Sequence, residues 1–220
     1  MNELTAKEQL CAMGRKLLET GLVAGTWGNI SIRLDASHMV ITPTAGDYRT
    51  LQPSGVPVVT LADGSFTGEK PSSEWRLHAA IYGERHDAGA VIHTHSMNAS
   101  TVAAARRDVP PILDDLAQII GPGVRCAAYA LPSTRKIVRV TLKALRGRNA
   151  DLLANHGAVC IGRDLEEAFT CCQILEKGCK AFIEAEFLGG ARSINRLEAA
   201  FMHQYYLRKY ARKEKGGHDD

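Results

Sequence analysis

The run Val91-Ile92-His93-Thr94-His95-Ser96 constrains the fold of this chain more than any other segment. Its apolar residues predict a strand, and in an extended strand residues i and i+2 point to the same face. His93 and His95 therefore present two imidazoles on one side of one strand. Imidazole is the commonest metal ligand, although this spacing also arises on solvated strand faces. Residues elsewhere in the chain decide between these two interpretations.

Two further segments offer ligands that a metal site would need. His156 stands in a turn between two apolar strands, where packing does not require an imidazole, and Glu74 lies on the first turn of a helix before the histidine strand. Three neutral ring nitrogens and one carboxylate suit Zn²⁺ and other borderline divalent ions, with one exchangeable position for water or substrate. Such open coordination is expected of catalysis, so the candidate ligands of one divalent metal are Glu74, His93, His95 and His156. Zn²⁺ is favoured, with Mn²⁺, Co²⁺ and Fe²⁺ as alternatives.

The length and composition indicate one ordinary water-soluble domain. The 220 residues can bury a sizeable core, and we expect a single domain over residues 1–220 with a frayed tail at about 213–220. The chain is 45% hydrophobic, yet no apolar run approaches the roughly 20 residues of a membrane span. Its N-terminus is acidic and polar, unlike a secretory signal, which favours a cytoplasmic location. A formal charge of +3 is too small to argue for nucleic acid.

The cysteines are scattered through apolar or helical stretches rather than spaced as a disulfide framework. They are Cys11, Cys126, Cys160, Cys171, Cys172 and Cys179. The last three could form a thiolate site, but they share one long predicted helix, on which a buried free cysteine behaves as a small hydrophobe. We expect free thiols in the core.

Hydrophobic periodicity and turn signals predict a mixture of helices and strands. Helices are expected at about residues 5–20, 73–85, 114–120, 133–147, 164–188 and 193–213, with another after Asn98. Strands are expected at 29–34, 39–43, 56–61, 90–95 and 124–129, followed by two strands joined by a tight turn within 151–162. The first three strands should be antiparallel neighbours.

Small polar and glycine-rich segments indicate a second binding function. They are Gly28-Asn29, Thr42-Pro43-Thr44-Ala45-Gly46 and Ser72-Ser73 at a helix start. Hydroxyl groups, a side-chain amide and free backbone N–H groups at a helix N-terminus can bind a phosphate without a Walker lysine. On its own, Ser72-Ser73 is more typical of a plain helix cap. Together with the metal ligands, these segments point to a phosphorylated small molecule as the substrate.

The sequence resembles the class II aldolase/adducin family, and especially its L-fuculose-1-phosphate aldolase branch. The matching segments are Gly25-Thr26-Trp27-Gly28-Asn29-Ile30-Ser31-Ile32-Arg33, Ile41-Thr42-Pro43-Thr44, Pro71-Ser72-Ser73-Glu74-Trp75-Arg76, Ala90-Val91-Ile92-His93-Thr94-His95 and Asn155-His156-Gly157. They lie in the same order over about residues 5–211. The resemblance implies an α/β fold, with a central, mainly antiparallel sheet flanked by helices on both faces as a three-layer sandwich. It also implies a homotetramer whose active sites lie between subunits.

The resemblance also implies roles for individual residues. The family's Zn²⁺ ligands correspond to His93, His95, His156 and Glu74, and its phosphate pocket to Gly28, Asn29, Thr44, Ser72 and Ser73. A proton-donating tyrosine from a neighbouring subunit would correspond to Tyr210, with Tyr205 and Tyr206 as alternatives. All three tyrosines could instead pack a terminal helix. His78, one turn after Glu74, is a possible further ligand, but we favour a structural role because the metal already has its set.

The implied activity is that of a class II aldehyde-lyase, a carbon–carbon lyase acting on a ketose 1-phosphate. Substrates of the fuculose, 5-deoxyribulose or methylthioribulose 1-phosphate type would give glycerone phosphate and an aldehyde through a metal-stabilised enediolate. Glu74 would first bind the metal and then move a proton at C3 of the substrate. Tyr210 would handle the proton on the C4 oxygen.

The aldehyde side of the pocket departs from the fuculose-type pattern. Asp114 and Pro132 stand where those aldolases carry aromatic residues. An aspartate near Asp114 is characteristic of the related L-ribulose-5-phosphate 4-epimerases, where it acts as an acid or base, so a sugar-phosphate epimerase is the alternative function. Asp114 could equally be a solvated helix cap. Glu74 in place of aspartate and Asn98 in place of histidine favour the aldolase. A non-catalytic scaffold, as in adducin, is disfavoured because all four metal ligands are present.

Overall fold

The computed structural model describes residues 2–215, and the side chains of residues 2–209. Within these residues eight strands form one sheet: β1 Asn29–Arg33, β2 His38–Ile41, β3 Val58–Thr60, β4 Phe66–Thr67, β5 Ala90–Thr94, β6 Arg125–Ala127, β7 Ala150–Leu153 and β8 Gly157–Gly162. Their order across the sheet is β4-β3-β2-β1-β5-β8-β7-β6. Neighbouring strands are antiparallel, except that β6 and β7 are parallel.

Seven α-helices and one short 3-10 helix surround this sheet in the described part of the chain. They are α1 Glu3–Glu19, α2 Trp75–Glu84, α3 Met97–Ala104, α4 Asp114–Ile119, α5 Arg135–Leu145, α6 Leu165–Phe187 and α7 Arg196–Lys215, with the 3-10 helix at Pro53–Gly55. Side-chain caps set some of the helix starts. The side chains of Thr134 and Asp164 accept hydrogen bonds from backbone N–H groups in the first turns of α5 and α6, which satisfies donors that a helix leaves free.

The sheet carries one hydrophobic core on each face. Helices α1, α3, α4 and α6 cover the face that includes Ile30, Ile92 and Leu152, whereas α2 and α5 cover the face that includes Val91 and Ile161. Successive residues of a strand point to opposite faces, so β5 supplies neighbouring residues to the two cores. The predicted α/β fold, a mainly antiparallel sheet with helices on both faces, is confirmed.

The elements agree closely with those predicted from the sequence, and the first three strands are antiparallel neighbours as expected. The two-residue strand β4 was not predicted, because its exposed residues carry no hydrophobic alternation. The predicted strand at 124–129 is shorter, at Arg125–Ala127. Helix α7 continues through residues 213–215, and the rest of the predicted tail, residues 216–220, lies outside the described residues. Because one sheet joins strands from both halves of the chain, we retain the proposal of a single domain.

The cysteines are free thiols, five of them buried and Cys126 half-buried, as predicted. No helix in the described part of the chain is long and apolar enough to cross a membrane.

The centre of the sheet brings the predicted ligands together. Strand β5 runs between β1 and β8, with Asn29 of β1 and Val159 of β8 opposite His93. The pairs are antiparallel, so the end of β5 lies beside the beginning of β1 and the turn that leads into β8. The histidine end of β5 is therefore surrounded by residues distant in the sequence.

Candidate metal centre and active site

The rings of His93, in β5, and His95, just beyond the end of that strand, converge as the sequence predicts. His93 is fully buried, and its Nε2 lies 2.9 Å from Nε2 of His95, which directly follows the strand. Nδ1 of His93 donates a hydrogen bond to the carbonyl oxygen of Ala158 at 2.8 Å. A carbonyl only accepts, so this bond places the proton on Nδ1 and leaves the Nε2 lone pair free, as in histidines that bind metals.

The turn between β7 and β8 carries the third imidazole. Asn155 has a left-handed backbone with a φ of 57°, which asparagine tolerates better than most residues. At Gly157 an added Cβ would overlap the carbonyl oxygen of Thr94, so only glycine allows the turn to lie this close to β5. The ring of His156 is 4.7 Å from that of His93 and 4.9 Å from that of His95, between centroids. One ligand nitrogen from each histidine lies within 4.8 Å of the others.

Glu74, at the N-terminus of α2, directs its carboxylate at this cluster. Its Oε2 lies 3.3 Å from Nε2 of His93 and accepts a hydrogen bond from Nδ2 of Asn29 at 2.9 Å. Its Oε1 lies 3.9 Å from Nε2 of His156 and is buried with no hydrogen-bond partner among the described residues. Buried polar atoms normally have partners, and an unpartnered carboxylate oxygen beside converging nitrogens is suited to a cation. The residues therefore fit a divalent metal.

The pKa values of the site favour this donor set. Burial, together with the nearby His93 and His156 rings, lowers the pKa of His95 to about 3. Burial and His93 lower the pKa of His156 to about 4. Burial alone would raise the pKa of Glu74, but electrostatic attraction to His93 and the hydrogen bond from Asn29 hold it below its usual value. Near pH 7 the site thus offers free imidazole lone pairs and an ionised carboxylate.

A buried hydrogen-bond chain behind Glu74 fixes the amide that supports it. Oδ1 of Asn29 accepts from Nε2 of His78 at 2.5 Å, and Nδ1 of His78 lies 2.7 Å from the hydroxyl of Ser31. That hydroxyl is 2.8 Å from the hydroxyl of Tyr82. Burial lowers the pKa of His78 to about 3, so this ring is neutral. Both of its nitrogens are engaged, which favours the structural role expected for it over metal binding.

A cavity of about 320 Å³ opens beside the metal ligands. Its lining is Thr26, Trp27, Gly28, Asn29, Pro43, Thr44, Ala45, Ser72, Ser73, Glu74, His95, Pro132 and His156. All five residues predicted to bind phosphate line it. Gly28 has a φ of 86°, and an added Cβ would lie 2.6 Å from the carbonyl oxygen of His93, so this position requires glycine. Ser72 also accepts a hydrogen bond from the backbone N–H of Glu74. Glu74 is itself the N-cap residue of α2, which has no side-chain cap, so the alternative of a plain helix cap at Ser72-Ser73 is wrong.

The other predicted catalytic residues do not line this cavity. Asp114 is exposed at the first residue of α4, which packs against α7. The side chain of Tyr210 lies outside the described residues; of the alternatives, Tyr205 is exposed and Tyr206 half-buried on α7. Of the two departures from the fuculose-type pattern, only Pro132 reaches the cavity. The roles of Asp114 and Tyr210 stay predictions.

Trp27 is a site residue that the sequence did not single out. Its ring stacks on the ring of His95, with centroids 5.7 Å apart and planes at 29°, although 66% of the residue is exposed. It lies within one of the family segments, but no periodicity or spacing links it to His95. Its contact depends on the turn before β1 folding over the end of β5.

Comparisons with known proteins identify relatives of this chain. A model of the class II aldolase and adducin N-terminal domain matches residues 8–183. A 5-deoxy-D-ribulose 1-phosphate aldolase of Bacillus thuringiensis is 33% identical over 83% of this chain and 86% of its own. A 5-methylthioribulose-1-phosphate/5-deoxyribulose-1-phosphate aldolase of Rhodospirillum rubrum is 36% identical over 76% of this chain and 75% of its own. The solved structure of an L-fuculose 1-phosphate aldolase matches with a TM-score of 0.88 and 32% identity, over 92% of this chain and 96% of that chain.

Proposed function

The chain belongs to the class II aldolase and adducin family, and on this basis we propose that it is a metal-dependent aldolase that cleaves a ketose 1-phosphate to glycerone phosphate and an aldehyde. The relatives confirm the predicted family and the predicted class of enzyme, a carbon–carbon lyase. The predicted substrate class agrees with their names.

One observation carries the proposal: three imidazoles and the Glu74 carboxylate converge beside a polar cavity, and one oxygen of that carboxylate has no partner in the described part of the chain. His93, His95, His156 and Glu74 would hold the metal, for which we favour Zn²⁺. When bound there, the metal would stabilise the negative charge that develops on substrate oxygens as the C3–C4 bond breaks.

The chain's own residues would move the protons of this reaction. Cleavage requires loss of the proton on the C4 oxygen and addition of a proton at C3. Glu74 is ionised, buried and oriented by Asn29, so it is suited to accept the C3 proton of glycerone phosphate in the condensation direction. In the cleavage direction the same carboxyl group, once protonated, would return that proton to C3. We assign the proton on the C4 oxygen to Tyr210 of a neighbouring subunit.

The part of the cavity lined by the predicted phosphate-binding residues would hold the phosphate of the substrate. Ser72 and Ser73 supply hydroxyl groups there, and the backbone of Gly28 also lines the cavity. The hydroxyl of Thr44 donates a hydrogen bond to the carbonyl oxygen of Pro71 at 2.7 Å, so it would have to turn away from that oxygen to donate to a phosphate. The Asn29 amide gives one of its two N–H groups to Glu74, which leaves the other for the phosphate. A cavity of about 320 Å³ suits a small sugar phosphate.

An exposed apolar stripe on α7 supports assembly into a homotetramer. Leu197, Phe201 and Tyr205 are spaced by one helical turn and are 81%, 72% and 61% exposed. A stripe of this kind marks an interaction surface. We propose that it contacts a second copy of the chain, so that Asp114 and the C-terminal tyrosines approach the cavity of a neighbour. We also retain the prediction of a cytoplasmic location.

The test is a coupled assay for glycerone phosphate, with a panel of ketose 1-phosphates of the 5-deoxyribulose, methylthioribulose and fuculose types. We expect release from at least one substrate, loss of release on treatment with a chelator, and recovery when metal is added back. His156→Ala should abolish release, whereas His86→Ala, which changes an exposed histidine outside the site, should not. Activity that persists without metal would contradict the proposal. Interconversion of pentulose 5-phosphates without release would instead identify the epimerase.

A further inference from the structure

Glu176, on α6, makes an unusual set of contacts just after the metal-binding strand. Its carboxylate accepts four hydrogen bonds, from Ser96 Oγ at 2.7 Å, Asn98 N at 2.8 Å, Asn98 Nδ2 at 2.7 Å and Ala99 N at 2.9 Å. These partners lie 77 to 80 residues away in the chain. Four short bonds to one half-buried carboxylate form a strong, directional clamp.

The clamp replaces a local helix cap. Ser96 is the N-cap residue of α3, but its side chain makes no capping hydrogen bond to that helix. The carboxylate of Glu176 instead receives two backbone N–H groups of the first turn, and its negative charge complements the positive end of the helix dipole. The start of α3 is thereby held by α6 rather than capped by its own N-cap residue.

Glu176 contacts Ser96, which is the residue next to the proposed metal ligand His95. The ladder between β5 and β8 ends with Thr94 opposite Ala158, so His95 lies beyond the last strand pair. Its backbone is held on one side by Thr94 and on the other by Ser96, which Glu176 holds. His95 must keep its Nε2 near that of His93, at 2.9 Å, for both to bind one ion.

We propose that Glu176 is a positioning residue that sets the location of His95 in the metal site. The inference rests on the proposed function, because it concerns affinity for the metal that the function requires. Residues that orient metal ligands typically contribute about 10- to 100-fold in metal affinity. A carboxylate that only stabilised the fold would change the free energy of unfolding without changing the geometry around the ion.

The experiment compares metal-free full-length wild type with Glu176→Gln. The glutamine keeps the size of the side chain but loses its charge and places an NH₂ group against N–H donors. We expect the Kd for Zn²⁺, measured by competition with a chelator, to rise about 10-fold or more. The visible absorption of the Co²⁺-loaded protein should shift, because the ligand field changes when His95 moves.

Two further variants separate positioning from stability. Glu166→Gln is the matched control, since Glu166 lies on the same helix and pairs with Lys16 at the surface, and it should leave the Kd and the Co²⁺ spectrum unchanged. Ser96→Ala removes one of the four bonds and should raise the Kd by an intermediate factor. If Glu176→Gln does not fold, the Kd of Ser96→Ala decides whether the contacts of Glu176 affect metal affinity.

A Kd for Glu176→Gln within twofold of the wild type, with an unchanged Co²⁺ spectrum, would overturn the inference even if the variant were less stable. If the wild type itself bound neither ion, the proposed function would fail first, and the inference with it.

Discussion

Replacement of Gly157 by alanine tests the close approach of the β7–β8 turn to the metal site. The added Cβ would overlap the carbonyl oxygen of Thr94 and would lie 2.9 Å from Cδ2 of His95 and 3.3 Å from Cε1 of His93. The turn must therefore move away from β5 and carry His156 with it. Gly157 does not have a positive φ, so the change tests steric contact alone.

Overpacking of this kind costs about 1–3 kcal/mol. In a chain of this size, each kcal/mol lowers Tm by about 2–4 °C, so we expect a fall of about 2–12 °C. The Kd for Zn²⁺ should also rise about 10-fold, since one of its ligands is displaced. Thermal and urea denaturation of the metal-free protein measure the loss of stability. A metal titration measures the rise in the Kd for Zn²⁺.

The control for this variant is Gly83→Ala in α2. An added Cβ there meets no atom within 4 Å, and alanine favours a helix over glycine by about 0.5–1 kcal/mol, so this variant should be slightly more stable. If Gly157→Ala unfolded at the same urea concentration as the wild type and bound Zn²⁺ equally well, the steric argument would be wrong.

Three further predictions follow from other positions. Ala45→Gly should raise the free energy of unfolding by about 1 kcal/mol, because Ala45 has a φ of 57°, and a loss of stability in urea denaturation would refute this. Asp151→Asn should stabilise the protein more near pH 7 than near pH 4. Burial raises the pKa of Asp151 well above its usual value, so above pH 4 the carboxyl group ionises in the unfolded chain but not in the folded protein, and the wild type loses stability as pH rises. Unfolding measured at both pH values checks the sign, and an equal effect at both would contradict it. Glu74→Gln should lower kcat about 100-fold or more in the coupled assay, and a kcat near that of the wild type would rule out its proton transfer at C3.

Much of the fold and the convergence of the candidate metal ligands could be predicted because the signals were local. The spacing of His93 and His95 follows from the period of a strand, and the turn at His156 shows in the flanking asparagine and glycine. Glu74 was predicted because it begins a helix with clear periodicity. Each of these predictions needs only the geometry of one element and the order of elements along the chain.

Contacts between distant segments could not be predicted in this way. Trp27 meets His95, and Glu176 meets Ser96, only because the turn before β1 and the middle of α6 reach the end of β5. No period or motif within either segment indicates its partner. Asn29 was predicted as a phosphate ligand. Its hydrogen bond to Glu74 was not predicted, because it depends on the pairing of β1 with β5.

Asp114 shows a further limit of sequence reasoning. The resemblance to the 4-epimerases suggested a catalytic acid or base there, with a solvated helix cap as the alternative, and Asp114 lies exposed at the start of α4 and does not line the cavity of its own chain. A residue that acts across a subunit boundary leaves no trace in the periodicity of one chain.

The most direct test of the central claim is a Zn²⁺ titration of chelator-treated protein, with glycerone phosphate release from a 5-deoxyribulose-type ketose 1-phosphate as the signal. The account predicts no release before Zn²⁺ is added, and a rise that saturates at one ion per chain and is absent in His93→Ala. Release from the metal-free protein, or a titration that is unchanged in His93→Ala, would contradict it.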